Sequence, residues 1–363
     1  MIPQLSKRTG VIGAVAAVAF IVGALLAVRA LDRSQGPTEA ARSEPSVLHE
    51  GEVLELADDG TTLVARDTAT RGHRPLARCT ECAGIRQFAP SAGGRWIAYD
   101  ATVCLFRCGE VEPDAGIWVV GPTGPPLHVT TDYFPLKFHW SPTAQLLGFV
   151  VGGGDGSDLI LFDPATGERT SIVTTEGAIP SFAWSPDGSM IAYATDKPSE
   201  PSGIFVVRPG ADPERIGGPS IEHPCCVSVT IDATDDLVWS PDGTRLAVRT
   251  PRDGLTIVRV DGSGEQVVLD REPGDIAWSP DGRRIAYVER HDVRVVPAGG
   301  GTPVLLAHMS GQHPGNVAWS PDGTLVAFDL NGGRDWNWNA GPADGSGTLE
   351  TIDRLEVERW IQG

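Results

Sequence analysis

The phrase WSPDG occurs four times, at 184–188, 239–243, 278–282 and 319–323, with a worn copy, WSPTA, at 140–144. A phrase returning at such intervals restricts the chain to a repeated supersecondary unit, because one unit buries its apolar face only against the next. Around each copy the grammar is the same: apolar residues before it, two variable positions after it, then an apolar run such as IAYAT or LAVRT. Ser-Pro-Asp-Gly suits a type I turn, in which Ser accepts a hydrogen bond, Pro fixes φ and Gly closes the fourth position. The phrase predicts a β-hairpin.

A third β segment follows each hairpin: IWVV (117–120), LILF (159–162), IFVV (204–207), LTIVRV (255–260) and VRVV (293–296). A Gly/Pro-rich turn then leads to a fourth, as in LHVT (127–130), QVVL (266–269) and VLLA (304–307). Four short strands per unit, repeated, spell propeller blades. Prolines at 90, 142, 186, 241, 280 and 321 set spacings of 52, 44, 55, 39 and 41. FAPSAGGRWIAYD (88–100) reads as a divergent member with a turn two residues longer and no Trp before it. VLELADDGTTLVARD (53–67) keeps an Asp-Gly hairpin and reads as a further, degraded blade. The expected fold is an all-β propeller of four-stranded blades, seven of them, with six as the alternative. The 44 glycines and 29 prolines suit so many turns.

Trp140, Trp184, Trp239, Trp278 and Trp319 are expected to pack between blades, each burying on the order of 150–250 Å². Asp187, Asp242, Asp281 and Asp322 have a backbone to bond within their turns. One copy per blade spreads them around a ring, so they are read as framework and not as a catalytic or calcium site.

FAWSPDGSMIAYAT, LVWSPDGTRLAVRT, IAWSPDGRRIAYVE and VAWSPDGTLVAFDL resemble the WD40-like (PD40) propeller repeat of the TolB-like envelope proteins. They are also similar to the propellers that precede the hydrolase domain in prolyl-oligopeptidase relatives. The likeness covers roughly residues 50 to 330 and implies a propeller. TolB-like proteins carry an extra α/β domain before the propeller, where an anchor and a tether are expected in this sequence.

Residues 1–30 stand apart. Val11 to Val28 is an apolar run with no charge inside, long enough for a transmembrane signal anchor behind a short cytoplasmic head. Secretion after cleavage near Val28-Arg29-Ala30 is the alternative. Residues 31–50, polar with Pro37 and Pro45, read as a flexible tether, and 51–363 as the propeller domain. The anchor holds three basic residues and no acids, which leaves 26 basic and 47 acidic residues, a balance of −21. Such a surface repels a phosphate backbone, so no nucleic acid is expected as a partner.

The chain shows no nucleophile elbow: Ser263 and Ser346 lack the first glycine of Gly-x-Ser-x-Gly. VVGGGDGSDL (150–159) reads as a hairpin loop, with calcium at Asp155 and Asp158 as a minor alternative. The cysteines come as Cys79/Cys82, Cys104/Cys108 and the adjacent Cys225/Cys226. An even count outside the cytoplasm reads as disulfides, of undecided connectivity; a zinc site from the first four is the rival. The eight histidines are dispersed, and His223 alone adjoins a cysteine pair. In RDWNWN (334–339), Trp336 and Trp338 alternate as on a strand, with ligand contact the second reading. TLETI and LEVERW read as strands that finish the last blade and close the ring.

The expected function is that of a membrane-anchored, extracytoplasmic, cofactor-free propeller that binds an envelope protein or peptide and catalyses nothing. A propeller enzyme or carbohydrate-binding protein with its site at the central channel is the alternative. It requires carboxylates, histidines or aromatics gathered at the channel mouth.

Overall fold

The computed structural model describes residues 46–49, 51–57, 59–67, 69–79, 84–102, 116–130, 137–153, 156–195, 203–218, 236–250, 254–330, 337–353 and 356–357. The anchor, most of the tether, Cys82, Cys104, Cys108, Asp155, His223, Cys225, Cys226 and Trp336 lie outside them. No helix among the described residues is long and apolar enough to cross a membrane.

Seven antiparallel sheets follow one another along the chain as blades of a propeller. Blade 1 spans 52–78, blade 2 84–130, blade 3 138–175, blade 4 182–217, blade 5 237–269, blade 6 276–308 and blade 7 314–353. Blades 2 to 7 have four strands each, paired in sequence order, and blade 1 has three. First strands of successive blades from blade 2 onward lie side by side around the axis. TLETI supplies the last strand of blade 7, Glu350–Asp353. Glu356 and Val357 of LEVERW adopt a helical turn instead of the expected strand.

The repeated phrase explains both ends of each hairpin. In blade 5, Gly243 N donates to Ser240 O at 2.9 Å, and Gly243 sits at φ +67°, where a Cβ is strained. Ser240 Oγ donates to Asp242 Oδ1 at 2.6 Å and accepts from Arg245 N at 3.0 Å, while Asp242 accepts from Thr244 N at 3.0 Å. Burial alone would raise the Asp242 carboxyl, but bonds from Ser240 and Thr244 and the charge of Arg245 hold it down at about 2. The same Ser–Asp bond recurs at Ser185, Ser279 and Ser320. The aspartates are therefore turn framework.

The tryptophans are staples between blades. Each indole N–H donates to a carbonyl in the first strand of the preceding blade: Trp140 to Ala89, Trp184 to His139, Trp239 to Ala183, Trp278 to Val238 and Trp319 to Ala277, at 3.0 to 3.1 Å. Arg245 lies 5.0 Å over the Trp278 ring and Arg284 4.7 Å over Trp319. Each arginine also donates to the turn glycine of the next blade, Gly282 O at 2.7 Å and Gly323 O at 2.8 Å. Apolar clusters fill the seams, as with Leu237, Trp239 and Val248 of blade 5 against Ala194, Ile204 and Val206 of blade 4.

Two expectations need correction. The turn after FAP is not longer: Ser91 N donates to Trp96 O at 2.8 Å, as Ser185 N does to Met190 O at 2.9 Å. Ser91 aligns with Ser185, so Pro90 stands in the place of the staple Trp and not of the turn proline. The Asp-Gly hairpin of blade 1 is also displaced. Glu52–Leu56 starts on the face that carries the Ser-Pro-Asp-Gly turns, where Val47 N and Leu48 N both donate to Gly94 O at 3.0 Å. Its hairpin lies on the opposite face, where Ile85 N donates to Gly60 O at 2.9 Å. The three strands thus fill the second to fourth places of a blade, and no described strand fills the first. Asp-Gly is generic turn chemistry; Asp59 accepts from Thr61 N and Thr62 N as readily on one face as on the other.

Candidate functional site

The two faces of the propeller differ in chemistry. The turn face carries the repeated hairpins. On the other, the mouth face, first strands begin and second strands end, and there the sequence is free to vary. Three residues before each Trp position stand Gln87, Lys137, Ser181, Asp236, Asp275 and Asn316, one per blade from 2 to 7. Backbone bonds confirm the equivalence: Ala194 N to Ser181 O, Arg249 N to Asp236 O and Val288 N to Asp275 O.

This polar set holds charges that bind one another. Lys137 Nζ lies 3.5 Å from Asp236 Oδ2, reaching from blade 3 past blade 4 to blade 5. Arg249, 6% exposed, donates to Gly274 O at 2.6 Å and to Asp236 Oδ1 at 3.4 Å. Asp275 Oδ2 accepts from Val317 N at 2.8 Å, Gln87 Nε2 donates to Phe138 O at 3.1 Å, and Asn316 Nδ2 donates to buried Asp329 Oδ2 at 2.7 Å. The bonds of Gln87, of Arg249 with Gly274 O and of Asp275 cross to the next blade, the Lys137–Asp236 pair skips one blade, and the Asn316–Asp329 bond lies within blade 7, so most of the mouth groups brace the ring.

A different geometry appears at the rim between blades 5 and 6. The outer strand of blade 5, Glu265–Leu269, and the second and third strands of blade 6 enclose a groove of about 540 Å³. Val267, Leu269, Pro273, Tyr287 and Pro303 give it an apolar wall. It shares Arg271, Glu289 and Arg294 with an adjoining hollow of about 290 Å³ that Arg290, His291, Asp292 and His308 complete. Val267 is 60% exposed, and Val304 and Leu305 on the outer strand of blade 6 are 40% and 46% exposed. Those outer strands are sheet edges, each paired on one side only.

The charged end of the groove is a connected chain. Arg271 lies 2.8 Å from Glu289, Arg294 3.2 Å from Glu289 and 2.5 Å from Asp292, and His308 Nδ1 2.7 Å from Asp292. The hydrogen bond from His308 holds the Asp292 carboxyl below its usual range, against burial, with Arg294 adding to the effect. Asp292 in turn pushes the Arg294 guanidinium up. Burial pushes Tyr287 up to about 12, with the charge of Glu289 adding to it. His291 Nδ1 donates to Gln312 O at 2.7 Å, which places a proton on Nδ1, and its ring lies 4.6 Å from that of His313. Among the described residues no group of three or more His, Cys, Asp or Glu is arranged to hold a metal.

The sequence candidates fall elsewhere. Trp338 is 6% exposed and packs with Ala318, Ala327, Ala340 and Val357 on the far face of blade 7. Asp158 accepts from Thr174 Oγ1 at 2.5 Å on blade 3. Cys79, 5% exposed, is buried at the end of blade 1, and the other five cysteines lie outside the described residues. The groove was missed because His291, His308 and His313 are dispersed in sequence. Its signal was the doubly charged hairpin tip ERHDVR (289–294), unlike any other in the repeat.

The fold defines a seven-bladed β-propeller. No protein-family model matches the sequence, and no curated protein does. Among solved structures, 1329 chains match, so the fold by itself selects no function. A eukaryotic initiation factor aligns over 88% of this chain and 78% of its own, at 14% identity and TM-score 0.51. A putative 6-phosphogluconolactonase from Bacteroides uniformis aligns over 84% and 96%, at 15% identity and TM-score 0.50. TolB from Acinetobacter baumannii aligns over 85% and 84%, at 15% identity, but its TM-score of 0.42 carries no argument. These likenesses are of fold alone.

Proposed function

We propose that the protein is a membrane-anchored, extracytoplasmic propeller that binds a protein or peptide partner in the groove between blades 5 and 6 and catalyses no reaction. The observation that carries this reading is the groove itself: an apolar wall, an open sheet edge and a charged end in one continuous depression. An extended peptide suits such a site, because an edge strand offers backbone groups and the wall receives alternate side chains. The clasped charges of the channel mouth favour this over a central catalytic site, since Lys137, Asp236, Arg249 and Asp275 are already engaged with other parts of the ring. The apolar run at 11–28 supports the anchor, and the even cysteine count supports an oxidising compartment.

The test is capture by full-length protein in detergent from an envelope extract, with a Val267→Asp variant beside it. The position is exposed on the groove wall, so the variant should fold normally and lose the captured partner. Equal capture by the variant would refute the groove. Absence of capture together with turnover of a glycan or peptide library would restore the enzyme reading.

A further inference from the structure

The seam between blades 1 and 2 is built differently from the others. Blade 2 has Pro90 where blades 3 to 7 carry a staple tryptophan, and its turn, Ser91-Ala92-Gly93-Gly94, keeps the Ser and Gly of the repeat but neither Pro nor Asp. The space is taken by the chain that enters the propeller. Val47, 6% exposed, packs with Leu63, Ala77, Ile85 and Ile97 of blades 1 and 2, with Leu48 beside it. Ser46 Oγ donates to Gly93 O at 3.1 Å, and Arg74 Nη2 donates to Val47 O at 2.9 Å. Gly94 O, which takes the Val47 and Leu48 N–H groups, is the counterpart of the Gly282 and Gly323 carbonyls that accept from arginines elsewhere. Gly94 must remain glycine: its φ is +64°, and a Cβ would stand 3.0 Å from Leu48 Cβ.

We infer that this broken copy of the repeat is a dock for the chain's own N-terminal segment, and that it stands the anchored propeller with its turn face toward the bilayer. The inference rests on the membrane-anchored reading of residues 1–30. From Ser46 back to the end of the anchor the chain has residues 31–45. A flexible segment of that length has a typical end-to-end distance of about 20 Å. The docked end lies on the turn face, so that face stays near the membrane. The mouth face, with the charged end of the groove, points into the compartment. A partner free of the anchoring bilayer reaches it directly, while a protein embedded in that bilayer meets the turn face first.

The experiment uses full-length protein in liposomes that carry an energy acceptor on their headgroups. A fluorescent amino acid replaces Arg283 on the turn face or Arg290 on the mouth face, both exposed and joined by one strand. That strand separates them by about 20 Å, so transfer from position 283 should exceed that from 290 by about twofold. In Gly94→Val, which crowds Leu48, the difference should narrow without vanishing, because Glu52 also enters blade 1 on the turn face, while far-UV circular dichroism stays unchanged. Equal transfer from both positions in the parent protein, or stronger transfer from 290, overturns the orientation. A difference of the same size in Gly94→Val overturns the dock as a contributor to it. Protein that fails to float with the liposomes sinks the anchored reading and this inference with it.

Discussion

Replacing Trp278 by phenylalanine tests how the ring is held. The indole N–H donates to Val238 O at 3.1 Å, Arg245 lies 5.0 Å over the ring, and the side chain is 7% exposed. Phenylalanine leaves the Val238 carbonyl without that donor, at a cost of about 1–3 kcal/mol. It forfeits about 0.5 kcal/mol of cation–π attraction and about 1 kcal/mol of burial. The expected loss is therefore about 2.5–4.5 kcal/mol, read as a lower midpoint at constant slope in guanidinium unfolding followed by far-UV circular dichroism. Trp140→Phe, at a half-buried ring, should cost less. A double-mutant cycle of Trp278→Phe with Arg245→Leu should give a coupling of about 0.5–1 kcal/mol. If phenylalanine at 184, 239, 278 and 319 shifts stability by less than about 0.5 kcal/mol each, the staples are ordinary core residues and the reasoning fails.

Further outcomes follow from other parts of the molecule. The turn carboxyls are held below their unfolded values, Asp242 at about 2, so their contribution is present above the ordinary aspartate value of 3.8 and is lost as pH falls toward 2. An acid titration of stability should show that loss, and a smaller one in Asp242→Asn. Arg249→Ala removes a buried guanidinium from Asp236 and Gly274 O and should cost about 3 kcal/mol, whereas Lys137→Ala, a half-exposed partner at 3.5 Å, should cost less than about 1 kcal/mol in the same unfolding assay. Val357→Ala, at a fully buried site, should cost about 1–2 kcal/mol.

The blades were legible because their signal is local. Ser-Pro-Asp-Gly is self-contained turn chemistry, and the Trp before it recurs at one register, so blade order and most strands read directly. Errors arose where local chemistry repeats without its context. Asp59-Gly60 turns as well on the mouth face as on the turn face, and Pro90 mimics a turn proline from the position of a staple. The groove could not be read at all. Its walls come from residues 267–273, 287–294 and 301–308, which meet only because strand ends of two blades are aligned by pairing. Likewise, nothing local told that Val47 would fill the place a tryptophan leaves in blade 2.

Val357 is fully buried against the far face of blade 7, beside Trp338 and three alanines. It follows every strand of blade 7 in the sequence. A polypeptide emerging from the ribosome or across a membrane can assemble its seams in order, each new blade settling on the one before. Throughout that time the far side of its latest blade has no neighbour. For blade 7 the cover includes Val357, so the face that carries Trp338 stays open until that segment has settled. A product cut before Val357 would carry an exposed tryptophan-lined surface for quality-control proteases to find.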